Sequence, residues 1–326
     1  MKGEGWKTRK MVLLFGLAVI LMPVLSHTQE YPRKPITLFS PTIPGNSMDV
    51  VTRALLEDAK KFLGQPFIVV TKSGGGGTIA MTALAKEKPD GYTLGMCTPL
   101  PVVVTPLLRK MSYALEDFTP VLIFADSVAG LVVRADAPWK TLKDLVEYGR
   151  ANPRKIKCAI ASGTGNFKEI AVRVIAQKEQ IDLIFVPYSG DDSPGFTDLL
   201  GGHIEVLSAG PIWVPHARAG KVRPLVTYMS KRLKSFPDVP TLEELGYGLS
   251  LEVPLAIVSP KGTPPSVVKK LDGALHKAMD EPGFKETISS LNYQFAYYNS
   301  DDAKKWLKKT KELWTNLIKE FNIPKE

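Results

Sequence analysis

"TLFSPTIPGNSMDV", residues Thr37–Val50, is the stretch that decides the fold. It begins as an apolar strand, turns through a loop that holds two prolines and a glycine, and ends in residues that start helices. Ligands of open α/β sheets bind outside the carboxyl ends of the strands, where this loop would lie. We therefore predict that the loop and the helix N-terminus hold a small anion through backbone N–H groups. A plain strand-to-helix turn is the alternative interpretation.

The rest of the chain repeats this order of strand, loop and helix. "QPFIVVTK" and "YTLGMCT" predict two further strands, and a second set of strands and helices runs from "IKCAIAS" to "RPLVTYMS". Two long apolar stretches, "VLIFADSVAGLVVR" and "LSLEVPLAIVSP", separate the two sets. We predict an α/β fold with two lobes, each a mostly parallel sheet flanked by helices, with the two crossover segments forming a hinge beside a cleft.

The predicted division follows from those crossings. Residues 29–126 plus 255–326 form the first domain and residues 127–254 form the second. The three helix-like pieces after residue 260 are expected to cover the first domain.

The N-terminus has the pattern of a secretory signal peptide. A basic start, "MKGEGWKTRK", is followed by an apolar run from Met11 to Ser26. The run is shorter than the roughly 20 residues that a membrane-spanning helix needs. We predict that residues 1–28 are a signal peptide, cleaved near residues 26–29, and that the protein is exported to the periplasm. An uncleaved membrane anchor is the alternative.

Composition excludes several classes of function. The net charge is +9 over 326 residues, but the basic residues are scattered, and "KKWLKKTK" reads as a solvated helix face. We expect no nucleic-acid partner, because no nucleic-acid motif is present. Cys97 and Cys158 could form one disulfide or remain two buried thiols. The four histidines have no metal-ligand spacing, so neither a metal nor another cofactor is expected.

A second small-residue loop matches the first one. "AIASGTGNFKE", Ala159–Glu169, leaves a predicted strand and enters a predicted helix. Two such loops in different lobes could face each other across the cleft and converge on one anion. "CTPLP" could add a wall to the cleft, and Tyr188 in "VPYSGDD" could supply a ring or a hydroxyl, with simple packing as its alternative.

Signatures of catalysis are missing from the sequence. It contains no G-x-S-x-G elbow and no H-E-x-x-H motif. Asp191 and Asp192 look like turn and N-cap residues rather than an acid–base pair. We therefore predict a protein that is not an enzyme and has no catalytic residues.

The chain resembles the extracytoplasmic receptors of tripartite tricarboxylate transporters, the Bug family. The markers include "YPRKPITLFSPTIPGNSMD", "LGQPFIVVTKSGGGGTIA", "ASGTGN", "DLLGGHIEV" and "FPDVPTLEELGY", in that order along nearly the whole mature chain. The resemblance implies a two-lobed periplasmic-binding-protein fold, type II-like, that closes on its ligand like a Venus flytrap.

The resemblance also implies which residues bind the ligand. These are Thr42, Ile43, Pro44, Gly45, Asn46, Ser47 and Asp49 in the first loop, and Ser162, Gly163, Thr164, Gly165 and Asn166 in the second.

This sequence departs from the family pattern in the second lobe. Phe167, Lys168 and Glu169 stand where the family usually has serines and often a histidine. "LSAGP" replaces a segment that often reads Asp-Asn, so a carboxylate that would meet a ligand's amino group is missing. A simple carboxylate is therefore favoured over an amino acid. We expect Lys168 to be a solvent-facing helix lysine, with pairing to a second ligand carboxylate as the alternative.

The function implied is that of a solute-binding receptor for transport. It would capture a small organic acid, a mono- or dicarboxylate, and deliver it to the membrane permease subunits of a tripartite transporter. The alternatives are a secreted α/β hydrolase or lyase that uses the same cleft, and a ligand-sensing receptor for a signalling partner.

Overall fold

The computed structural model describes residues 31–161, 166–188, 192–321, 323 and 325. The predicted signal peptide, the loop residues Ser162–Gly165 and Asp191 lie outside these residues. The strands are β1 (Ile36–Ser40), β2 (Phe67–Thr71), β3 (Thr93–Cys97), β4 (Phe118–Ser127), β5 (Gly130–Arg134), β6 (Lys157–Ala161), β7 (Ile184–Tyr188), β8 (Val206–Ala209), β9 (Val222–Thr227), β10 (Val253–Pro260) and β11 (Gln294–Asn299).

The helices lie between and after these strands along the chain. They are α1 (Ser47–Leu63), α2 (Thr78–Leu84), α3 (Thr105–Leu108), α4 (Leu142–Ala151), α5 (Phe167–Glu179), α6 (Ser193–Gly201), α7 (Trp213–Arg218), α8 (Pro265–Ala278), α9 (Pro282–Ser290) and α10 (Ser300–Glu320).

Helix α1 shows why the opening stretch folds as it does. Asn46 has extended backbone angles, and its side chain accepts a hydrogen bond from the Met48 N–H, so it caps the helix. The helix ends at Gly64, whose φ of 71° is left-handed and whose N–H donates to the Lys60 carbonyl. Apolar residues at helical spacing, such as Val51 and Leu55, are fully buried beneath it. The predicted strand, loop and helix are confirmed.

Two sheets form the cores of two lobes. The first sheet has the order β11-β4-β10-β3-β1-β2, and the second has the order β7-β6-β8-β5-β9. The chain passes from the first sheet to the second between β4 and β5, and it returns between β9 and β10. The two apolar stretches singled out in the sequence therefore do carry the chain between the lobes.

The expectation of mostly parallel sheets is wrong in its detail, because both sheets are mixed. Strand β1 is parallel to β2 and β3, and β6 is parallel to β7 and β8. The crossing strands β4, β5 and β10, and the late strand β11, pair antiparallel. Two parallel strands of one sheet are joined by a crossover connection, usually a helix. A strand that arrives from the other lobe has no such connection to its neighbours, so it can pair antiparallel.

The tail covers the first lobe, as predicted. Helices α8 and α9 pack against α1, and α10 packs against β4 and β11. Strand β11, which the sequence reading missed, forms the edge of the first sheet beside β4. No helix within the described residues combines the length and the apolar character needed to cross a membrane.

The two cysteines are free thiols, which resolves the alternative left open by the sequence. Cys97 lies in β3 of the first sheet and Cys158 lies in β6 of the second, and both are fully buried. Burial raises the pKa of each thiol to about 12 because the thiolate would have to leave water.

We predict that both thiols are inert in the native protein. A thiol reagent such as dithionitrobenzoate should label neither cysteine in the folded state and both after denaturation, because only an accessible thiolate reacts. Thermal unfolding should be the same with and without a reductant. Fast labelling of the folded protein, or a reductant-dependent melting temperature, would contradict this assignment.

Candidate functional site

A cavity of about 220 Å³ lies between the two lobes. The first lobe contributes the start of α1, the segment after β3, the end of β4 and two residues of the tail. The second lobe contributes the start of α5, the residue before α6 and the segment after β8. The described lining residues are Asn46, Ser47, Met48, Thr98, Pro99, Leu100, Val104, Ser127, Asn166, Phe167, Lys168, Asp192, Gly210, Pro211, Glu252, Val253, Tyr293 and Trp314.

The loop before α1 is held by its own side chains. The Gly45 N–H donates to Asp49 Oδ2 at 3.1 Å, and Arg53 Nε donates to the same oxygen at 2.8 Å. Gly45 has a φ of +83°, a conformation that residues with a side chain rarely adopt. The buried Asp49 carboxylate therefore fixes the turn that leads the chain into the cavity wall.

The start of α5 repeats this construction in the second lobe. Asn166 Oδ1 accepts hydrogen bonds from the N–H groups of Lys168 at 2.9 Å and Glu169 at 3.2 Å. Glu169 is buried, and Arg173 Nε donates to it at 2.7 Å, one helical turn later. Both helices thus share the pattern Asn-x-x-acid-x-x-x-Arg, in "NSMDVVTR" and "NFKEIAVR".

The N-termini of these two helices flank the cavity. Asn46 and Asn166 are the N-caps of α1 and α5, and both line the cavity. Each helix places the positive end of its dipole at its N-terminus, where an anion is favoured. The two N-termini, one from each lobe, make the shared cavity a favourable place for a small anion.

Only part of the first predicted loop reaches the cavity. Asn46 and Ser47 line it, whereas Thr42, Ile43, Pro44 and Gly45 are absent from the described lining. The Ile43 side chain is 63% exposed. Asp49 is buried and braces the loop from behind. The N–H group of Gly45, a predicted ligand contact, is already donated to Asp49, and the Met48 N–H is donated to Asn46.

Of the second predicted loop, Asn166 lines the cavity. Ser162, Gly163, Thr164 and Gly165 lie outside the described residues. Tyr188 is absent from the described lining, and its hydroxyl donates to Asp198 on α6. Burial and the Asp198 carboxylate raise the pKa of Tyr188 to about 12. The Tyr188 side chain packs against the core of the second lobe, which was the alternative interpretation of this residue.

The expectation that Lys168 faces solvent is wrong. Its side chain is 6% exposed, lines the cavity and forms an ion pair with Asp192, whose side chain is 12% exposed. The other Asp192 oxygen accepts a hydrogen bond from the Gly210 N–H at 2.7 Å. Asp192 directly precedes α6, but its carboxylate tethers Lys168 and Gly210 rather than capping that helix. Three segments of the second lobe are joined by this one carboxylate.

Ser208, in the "LSAGP" segment, serves the structure rather than the cavity. It is fully buried, and its hydroxyl donates to the Lys168 carbonyl at 3.0 Å. The same hydroxyl lies 2.7 Å from the Tyr228 hydroxyl. Strand β8 is thereby fastened to the first turn of α5.

Several lining residues were missed because they come from distant parts of the chain. Tyr293 precedes β11, and its hydroxyl lies 3.0 Å from Ser47 Oγ. Trp314 belongs to α10, and Glu252 directly precedes β10. No local pattern marks these three residues.

The repeated Asn-x-x-acid-x-x-x-Arg pattern is the signal that could have placed the starts of α1 and α5 together. The wall expected from "CTPLP" is present, since Thr98, Pro99 and Leu100 line the cavity.

A buried carboxyl group lies behind the cavity at the crossing strands. Asp126 in β4 is 8% exposed, and its Oδ1 accepts a hydrogen bond from the Val253 N–H at 3.0 Å. Burial raises the pKa of Asp126 to about 8, and the charge of Glu252 adds to that effect. The group therefore keeps its proton at neutral pH in the folded protein.

The fold and the cavity together define a solute-binding protein of the two-lobed periplasmic type. Residues 51–323 match the family described as "Tripartite tricarboxylate transporter family receptor". The UPF0065 protein in gbd 5'region of Cupriavidus necator is 34% identical over 311 residues, which are 95% of this chain and 94% of that protein.

Solved structures agree with this match. The periplasmic binding protein BugD is 29% identical, with a TM-score of 0.75 over 91% of this chain and 100% of that one. MatC from Rhodopseudomonas palustris, solved with bound malate, is 26% identical, with a TM-score of 0.72 over 88% and 100%. The chain therefore belongs to the tripartite tricarboxylate transporter receptor family, as the sequence resemblance indicated.

We predict that Asp126→Asn makes stability less sensitive to pH. Between pH 3.8 and about 8 the folded protein holds a proton on Asp126 that the unfolded chain has lost. Stability therefore falls as pH rises through this window, by up to about 1.4 kcal/mol per pH unit. Asparagine has no proton to lose, and its Oδ1 can still accept from Val253. The melting temperature of the variant minus that of wild type should therefore increase from pH 5 to pH 8.

Asp238→Asn, at an exposed position, is the matched control and should show no such trend. A difference between Asp126→Asn and wild type that stays constant over this range would show that Asp126 is not held neutral.

Proposed function

We propose that this protein is an exported receptor that captures a small organic carboxylate between its lobes and delivers it to the membrane permease of a tripartite transporter. One observation carries the proposal: Asn46 and Asn166 line the same cavity. Each of them caps the N-terminus of a helix, and the two helices belong to opposite lobes. Family membership supports it, and so does the malate held by the MatC neighbour. Residues 1–28 would be removed as the signal peptide on export to the periplasm.

The two sheets suggest how such a receptor works. We take residues 29–126 plus 255–326 and residues 127–254 as two domains joined at the crossing strands. A carboxylate that touches α1 and α5 at once stabilises the arrangement in which both N-termini are close. Closure also removes water, which strengthens each contact to the anion.

The environment of Ser47 favours binding over catalysis. Its hydroxyl lies beside the Tyr293 hydroxyl, and burial raises the pKa of Tyr293. A neutral phenol with a raised pKa is a poor base for activating a serine. We therefore assign Ser47 and Asn166 to ligand binding, together with Ser162, Gly163, Thr164 and Gly165, the other second-loop residues that the resemblance implied.

The direct test is a ligand screen on protein freed of bound molecules by unfolding and refolding. Binding of an organic acid should stabilise the folded state by RT ln(1 + [L]/Kd) and so raise the melting temperature. Calorimetry should give saturable binding. Native mass spectrometry of freshly purified protein should show which acid co-purifies. If no acid in a broad panel shifts the melting temperature, and none co-purifies, the proposal is wrong.

We predict that Ser47→Asp weakens ligand binding without weakening the fold. A carboxylate in the first turn of α1 interacts favourably with the helix dipole, by about 0.3–1 kcal/mol, so the free protein should be at least as stable as wild type. The same charge would repel an anionic ligand in the cavity and should reduce affinity by about tenfold or more. Titration calorimetry and thermal unfolding together check both parts.

Ser266→Asp is the matched control for this prediction. Ser266 lies in the first turn of α8, is exposed and is not among the described lining residues. It makes the same change in charge within the first turn of a helix, and affinity should stay at the wild-type value. Undiminished affinity in Ser47→Asp would exclude the start of α1 from the binding site.

A further inference from the structure

The charged residues of the cavity do not balance. Among its described lining residues the charged ones are Lys168, Asp192 and Glu252. Lys168 and Asp192 pair with each other, so their charges cancel. The charge of Glu252 is left over, and it is negative.

Lys168 is not available as the partner of a second ligand charge. The pair is buried, and Asp192 is also fixed by the Gly210 N–H. Moving Lys168 to a ligand would leave the Asp192 carboxylate buried without its cation, which is strongly unfavourable. The pair therefore acts as a neutral unit that fills one side of the cavity.

Glu252 is held in place by neutral groups. Its Oε1 accepts hydrogen bonds from the Ser230 N–H, at 3.3 Å, and from the Ser230 hydroxyl. Ser230 follows β9 in the second lobe, and Glu252 precedes β10 in the first, so these bonds join the two ends of the returning segment. The neighbouring Asp126 keeps its proton at neutral pH, so it neither neutralises Glu252 nor adds to its charge.

The size of the cavity makes this charge matter for any ligand. Glu252 lines the same cavity of about 220 Å³ as Asn46 and Asn166, and salt screens partly buried charges much less than exposed ones. A ligand with one carboxylate at the starts of α1 and α5 therefore has its other end within range of Glu252. Much of the remaining wall is apolar, with Leu100, Phe167 and Trp314 among its residues.

We propose that Glu252 restricts the site to carboxylates with a single negative charge and an uncharged, largely apolar remainder. This inference rests on the proposed function, and it narrows the mono- or dicarboxylate class to monocarboxylates. A second carboxylate would face Glu252, and the one cation among the described lining residues, Lys168, is already paired with Asp192. An apolar chain or ring would instead pack against the apolar wall.

The experiment compares acids that differ by one carboxylate. Hexanoate is paired with adipate, and benzoate with terephthalate, each titrated calorimetrically into ligand-free protein at constant ionic strength. Wild type should bind the monocarboxylate of at least one pair about tenfold or more tightly than its partner. Glu252→Gln keeps the size of the side chain and an acceptor for Ser230. This variant should bind the dicarboxylate more tightly than wild type does, and the preference for the monocarboxylate should therefore become smaller.

Glu243→Gln serves as the control, because Glu243 is exposed, lies outside the cavity lining and gives the same change in net charge. It should leave the preference unchanged. Equal changes in both variants would overturn the role of Glu252, because they would reflect overall charge. A wild type that binds dicarboxylates at least as well as monocarboxylates would overturn the inference while leaving the receptor function intact. Failure of every acid to bind would overturn both.

Discussion

The capping of two helices by asparagine is the interaction on which the site depends. Asn46 and Asn166 each bond to the N–H groups of the turn that follows, and this fixes where α1 and α5 begin. Three residues after each cap, a buried acid pairs with an arginine one turn further on. A bare carboxylate there would offset the positive helix end. The paired arginine moderates that effect, so each N-terminus keeps its attraction for an anion.

The repetition of this unit in two lobes is the basis of the proposed binding mechanism. One capped helix N-terminus attracts an anion weakly, because water competes for it on the open side. In the proposed receptor, two N-termini on opposite walls would replace that water as the lobes close, and the contacts would strengthen as the local dielectric falls. The crossing strands β4 and β10 pair with each other beside the cavity, so a change in the angle between the lobes would be felt where the ligand lies.

Local chemistry made part of this structure predictable. Gly64 ends α1, Thr141 caps α4 and Asn46 caps α1, and each of these features depends on residues within one helical turn. Lys168 was misjudged because its partner Asp192 lies on another element, 24 residues away. Glu252 and Tyr293 reach the cavity through the topology of the crossings and the tail, to which no local pattern points. The antiparallel pairings of β4, β5 and β10 likewise follow from how the chain changes lobes rather than from strand propensity.

The Lys168–Asp192 pair shows why a cation in a binding cavity need not be a ligand contact. A free lysine in the cavity would strengthen binding of almost any anion and so weaken selection among them. Neutralised by Asp192, the ammonium instead helps to hold the starts of α5 and α6 and the segment after β8 in one arrangement. The attraction for the ligand is then left to helix dipoles and polar caps, which favour one compact negative group. In the proposed site, an apolar wall and Glu252 would discriminate between ligands at the far end, since Glu252 has no oppositely charged partner among the described lining residues.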